Sequence, residues 1–122
     1  MLIVTDQISV DANTTDQNIL QTNGNRVRTV PQGWSVAKLT YFSSGSAAGL
    51  EESVFAGNQN PLENSRVSAQ NRIPVMPDDM TVTDIYVKGG EQLQISVTNT
   101  TGGALTHFYR VELEDVSAAF GL

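Results

Sequence analysis

His107 is the only histidine in this chain of 122 residues, so general-base chemistry near neutral pH would fall to it. Its neighbours Thr106 and Phe108 supply no orienting carboxylate, and a histidine at a strand end is more often a surface or structural residue. Ser35-Val36-Ala37-Lys38 matches the Ser-x-x-Lys pattern of some acyl enzymes, which requires both residues on one helical turn. Here the four residues alternate as a strand does. Asp78, Asp79 and Asp84, the pair Glu51-Glu52, and the group Glu112, Glu114 and Asp115 could offer oxygen ligands to calcium. None has the spaced Asp/Asn-Gly-Glu loop of an EF-hand, and solvated turns and an exposed strand face account for them. Glycines 45 and 49, or 89 and 90, lack the strand-glycine-helix order of a phosphate cradle. With no cysteine there is no disulfide, thiolate metal site or cysteine nucleophile. The expectation is a protein that is not an enzyme and takes no cofactor and no metal.

The surface chemistry is mostly neutral. Asn, Gln, Ser and Thr make up 39 of the 122 residues, while charged residues are 16%. Seven basic residues against thirteen acidic ones leave a net charge of -6, which opposes nucleic acid and anionic membrane surfaces as partners. No apolar run approaches membrane-spanning length, and the first twenty residues lack the basic start and apolar core of a signal peptide. The expectation is a chain made in the cytoplasm, without membrane insertion, in which the sequons at Asn13 and Asn99 are loop sequence.

The length suits one domain spanning 1–122, and period-2 alternation runs through it. Leu2 to Val10 alternates, broken by Asp6. Trp34 to Phe42 is apolar on both faces, as a central covered strand would be. Met80 to Lys88 and Leu93 to Thr98 flank a glycine pair and read as a hairpin. Thr106 to Asp115, with Tyr109, Val111 and Leu113 on one face, would complete a three-stranded meander. Shorter strands are expected at Arg26 to Val30 and Asn71 to Met76. Residues 43–70 read as a long loop, a place for contacts. Seven or eight strands in this length predict an all-β fold, a two-sheet antiparallel β-sandwich with jelly roll favoured over an immunoglobulin-like topology.

Two function classes suit such a scaffold. Trp34, Tyr41, Phe42, Tyr86, Phe108 and Tyr109 could form a stacking platform for sugars, although alternation places many of them in the core. The other class enters through a resemblance. Asp84-Ile-Tyr-Val-Lys-Gly-Gly-Glu-Gln-Leu-Gln-Ile-Ser-Val-Thr-Asn99, a strand, a glycine turn and a Leu-x-Ile-x-Val strand, resembles a segment of small jelly-roll virion proteins of bacteriophages. The resemblance implies a capsid cement, decoration or penton-like subunit, located in the virion, whose partners are capsid subunits and copies of itself. Such a subunit works by multivalent attachment. The expected contacts are Leu2, Ile3 and Val4, able to add a strand to a neighbouring sheet; Leu50 and Phe55 in the long loop; and Phe120 and Leu122 near the C-terminus. The alternative is a small carbohydrate-binding or adhesive sandwich, and a small hydrolase using His107 is a third, weaker option.

Overall fold

A computed structural model describes all 122 residues as an antiparallel β-sandwich. Its strands are β1 (Leu2–Val10), β2 (Thr15–Asp16), β3 (Val36–Gly45), β4 (Leu50–Ala56), β5 (Gln59–Arg66), β6 (Met80–Lys88), β7 (Leu93–Asn99) and β8 (Leu105–Asp115). One sheet runs β1-β8-β3-β6 and the other β2-β7-β4-β5. Alternation explains the core directly. Ala37, Leu39 and Tyr41 of β3 and Tyr109, Val111 and Leu113 of β8 face Val54 and Ala56 of β4 and Leu93, Ile95 and Val97 of β7. Thr40, Phe42 and Ser44 on the other face of β3 are also buried, as its two-sided apolarity predicts for a central strand.

The meander at the C-terminal end is overturned. β6 pairs with β3, β7 with β4 and β2, and β8 with β1 and β3, so consecutive strands change sheets. The glycine link makes a turn, Glu91 N–H donating to Lys88 O at 3.2 Å, but it does not close a hairpin, and its glycine N–H groups bond to the segment before β3. Gly89 N–H donates to Ser35 O and Gly90 N–H to Val30 O. A Cβ at Gly89 would lie 2.0 Å from the Trp34 carbonyl oxygen, which is why a glycine stands there. An arch also suits the hydropathy: strands apolar on one face bury it best by facing each other across the sandwich.

The long loop at 43–70 is corrected as well. β3 continues to Gly45, and β4 and β5 form a hairpin around Gly57, whose φ is +61°. Its alternation is hidden because the inward row of β4 is Leu50, Glu52, Val54 and Ala56, with a carboxylate inside, and because β5 is a largely polar edge strand. Arg26 to Val30 is not a strand: Arg26–Arg28 is a 3-10 turn, and the buried pair Val27 and Val30 is spaced by three, not two. Together with Ile19 and Leu20 of α1 (Ile19–Thr22), capped by Asn18, these residues join the core. Asn71 to Met76 is a strap rather than a strand, since Pro74 and Pro77 lack N–H groups for a ladder.

Candidate functional site

The one histidine lies inside the sandwich. His107 on β8 and Glu52 on β4 are both buried, with Nε2 3.0 Å from Glu52 Oε1. Tyr41 Oη donates to the same carboxylate oxygen at 2.7 Å, and Ser43 Oγ donates to Oε2 at 2.5 Å. Three donors from one sheet thus converge on one carboxylate from the other. His107 Nδ1 has no partner, so the Nε2–H tautomer fits best: it leaves Nδ1 as a bare acceptor rather than a buried donor without an acceptor.

This cluster is not assembled for hydrolysis. A serine nucleophile needs the imidazole between it and the carboxylate, whereas Ser43 and His107 each bond to Glu52 directly. The four side chains are shut off from solvent, so no substrate reaches them. Sequence reasoning singled out His107 but placed Glu52 with Glu51 in a solvated pair. Only the preserved alternation of Leu50, Val54 and Ala56 around Glu52 could have signalled an inward carboxylate.

A second polar group ties the β1 end of the sandwich. Tyr109 Oη accepts from Asn23 Nδ2 at 2.9 Å and donates to Asn25 Oδ1, while Asn25 Nδ2 reaches Asp6 Oδ2 at 3.2 Å. Burial, assisted by the charges of Asp6 and Asp16 and opposed by the Asn23 bond, pushes the Tyr109 phenol up to about 12. Burial, with the Glu52 charge next, raises Tyr41 well above the ordinary phenol range. Both folded-state values exceed the unfolded value of about 10, so the stabilisation is complete below that pH and is lost above it. In an alkaline titration, tyrosinate absorbance from these two residues should therefore rise together with loss of the β circular dichroism signal. Ionisation of both with the fold intact would contradict their placement.

The other acidic residues are engaged singly. The burial of Asp79 works against ionisation, but Arg72 at 3.1 Å and the Val75 N–H at 2.9 Å more than offset it and hold the carboxyl below its ordinary range. That contribution is present above pH ~4 and is lost as pH falls through the lowered folded value. The stability difference between wild type and Asp79→Asn should accordingly narrow between neutral pH and pH ~3 in urea titrations, and a constant difference would contradict the clamp. Asp84 and Glu114 flank Lys38 at 4.0 and 3.9 Å, and no three acidic or imidazole side chains gather at one point. Lys38 lies in β3, so the Ser-x-x-Lys residues share no helical turn.

The aromatic platform is not assembled. Tyr41 and Tyr109 are core, Phe42 is buried, Trp34 and Phe108 are half-buried, and only Tyr86 is well exposed, with Phe120 packed edge-on against it at 5.3 Å. The larger surface depression, about 350 Å³, is lined by Asn18, Gln21, Arg28, Thr29, Gln92 and Leu93 and has no ring to stack on a sugar.

Of the expected contacts, Leu50 is corrected. It faces inward, opposite Asn99, and is 1% exposed, so it belongs to the core. Phe55 points to the other face of β4 and is half-buried. Leu2 and Val4 are half-buried at the core margin, and Ile3 is 47% exposed on the opposite face of β1. Phe120 and Leu122 are exposed. Sequence reasoning missed Ile73, Val75 and Met76, which the strap holds at the surface, and Met80, exposed at the start of β6.

These features define a two-sheet antiparallel β-sandwich with a closed polar interior and apolar side chains on its periphery. No protein-family model matches the chain, and no curated protein matches it.

Proposed function

We propose that this chain is a non-enzymatic structural subunit of a virion, a capsid cement, decoration or penton-like protein that binds neighbouring capsid subunits and copies of itself. The observation that carries this reading is the distribution of chemistry. The reactive side chains hydrogen-bond one another inside the sandwich, while Ile3, Ile73, Val75, Met76, Phe120 and Leu122 stand at the surface. Apolar side chains exposed on a small domain suit adhesion.

Topology supports the same reading. β1 pairs with β8, β2 with β7, β3 with β6 and β4 with β5, a single ribbon that rolls up so that β8 also meets β3 and β7 meets β4. This nested pairing supports a jelly-roll reading, a scaffold shared by many capsid domains and also by lectins. Fold alone does not separate these two uses. The sugar-binding alternative has hydrogen-bonding side chains at the depression beside Gln92 but lacks a stacking platform.

Co-sedimentation with purified empty shells from the particle that carries this protein tests the reading. Saturable binding at a fixed stoichiometry is the expected result. A protein that stays in the supernatant at every concentration, or that binds a defined glycan on an array instead, would overturn it.

A further inference from the structure

Four strands lie at sheet edges, and three of them are blunted. β6 carries a bulge at Asp84, whose φ is +58°, and its Tyr86 carbonyl is occupied by Gln59 Nε2. β5 contains Pro61 and a bulge at Asn64 with φ +45°. β2 is two residues long. These are the usual devices against edge-to-edge pairing. β1 has none of them: nine residues without proline, glycine or bulge, in unbroken register with β8.

The free side of β1 can be assigned residue by residue. Gln7 N–H bonds to Asp6 Oδ1 and Gln7 C=O accepts from Asn23 Nδ2, so the backbone of Gln7 faces away from β8. In an antiparallel ladder this direction alternates, so the N–H and C=O groups of Ile3 and Thr5 also face away from β8. Asn23 covers the edge at Gln7, and from Thr5 back to the start of the strand it is open.

We infer that this open half of β1 pairs antiparallel with β1 of a second copy across a two-fold axis at Ile3, making one eight-stranded sheet from two chains. Outward-facing residues must meet outward-facing residues, which leaves three short registers. Crossing at Thr5 would put Ile3 against Gln7, already covered by Asn23. Crossing at Val4 would set the Asp6 carboxylate beside Leu2 of the second copy. Crossing at Ile3 places Leu2 against Val4 on the core side and Ile3 against Ile3 on the other, with Asp6 outside the overlap. Charge and apolar matching therefore select the crossing at Ile3. A strand overlap this short falls well below the ~1,200 Å² of a standard stable interface, so the dimer is weak and reversible, strengthened when several contacts act together in a shell. Each chain carries -6, so added salt strengthens it.

This deepens the self-association part of the proposed function, and it is tested on the full chain without shells. Sedimentation equilibrium from ~10 µM to ~1 mM should show a reversible monomer–dimer equilibrium. Ile3→Pro and Thr5→Pro should abolish the dimer while keeping the circular dichroism spectrum and melting temperature, because each removes an N–H that β8 does not use. The chain has no cysteine, so engineered thiols report the register. Leu2→Cys combined with Val4→Cys should form interchain disulfides, whereas Val4→Cys alone should not. A wild type that is monomeric at the highest concentration, a dimer that survives both prolines, or cross-linking by Val4→Cys alone would overturn the inference. Shell binding by a monomeric protein would show that this inference fails while the proposed function stands.

Discussion

Glu52→Ala should destabilise the protein by about 3–5 kcal/mol, a large fraction of the ~5–15 kcal/mol that holds a domain of this size together. The mutation leaves Tyr41 Oη, Ser43 Oγ and His107 Nε2 inside the sandwich without their common acceptor, and it opens a cavity between the sheets. Each orphaned donor costs its desolvation, about 1–3 kcal/mol when nothing relaxes to meet it. Glu52→Gln should cost much less, since the amide keeps one acceptor oxygen and its NH2 can donate to Ser43 Oγ. Combining Glu52→Leu with Tyr41→Phe, Ser43→Ala and His107→Leu should recover most of the loss, because a cluster of buried polar groups is costly to break but inexpensive to replace whole. Urea unfolding of the three variants checks the ordering. Equal losses for Ala and Gln would show that side-chain volume, not hydrogen bonding, sets the effect.

Asn99→Ala should cost about 3 kcal/mol, and Asn99→Asp more. Asn99 is fully buried at the end of β7, and its amide makes four hydrogen bonds. Nδ2 donates to Val10 O at 2.9 Å and Gly103 O at 2.8 Å, and Oδ1 accepts from Thr101 N at 2.9 Å and Thr101 Oγ1 at 2.7 Å. It therefore ties the end of β1 to the arch between β7 and β8. An aspartate would turn a carboxylate oxygen onto two carbonyl oxygens, replacing two attractions with repulsion. Thermal unfolding should rank wild type above Asn99→Ala above Asn99→Asp, with early loss of hydrogen-exchange protection at Thr101. Although Asn99 begins a sequon, its committed Nδ2 is closed to glycosylation in the folded chain, and an occupied site on native protein would contradict this packing.

Four strands were legible with nearly correct bounds: β1, β6, β7 and β8. In each the inward positions are mostly apolar, with Asp6 in β1, Asn99 at the end of β7 and His107 in β8 as single exceptions, and in β1, β7 and β8 enough apolar residues remain for burial at period two to be written into the local sequence. β4 was not legible, because in a strand of only seven residues the inward Glu52 leaves a single apolar residue, Leu50, before it, whereas the longer β1 keeps two inward apolar residues on each side of Asp6. The turn at Arg26–Arg28 was missed because Val27 and Val30 follow a three-residue spacing that a search for alternation passes over. Among the surface residues, Ile3, Phe120 and Leu122 were recognisable as apolar residues near the chain ends. The exposed strap was not, because its Ile-x-Val pattern looks like half of a buried strand.

By itself the sequence determined that this chain is built of strands, which faces of most of them turn inward, and that cysteine chemistry is absent, since composition and period-2 alternation are local properties. Only the tertiary structure decided which strands are neighbours, that Glu52 belongs inside, and which edge stays open. Strand order joins distant segments such as β1 and β8. A carboxylate can be buried only where donors 9, 11 and 55 residues away converge on it. No sequence neighbour of Glu52 supplies those donors, so the arrangement exists only once the two sheets have closed.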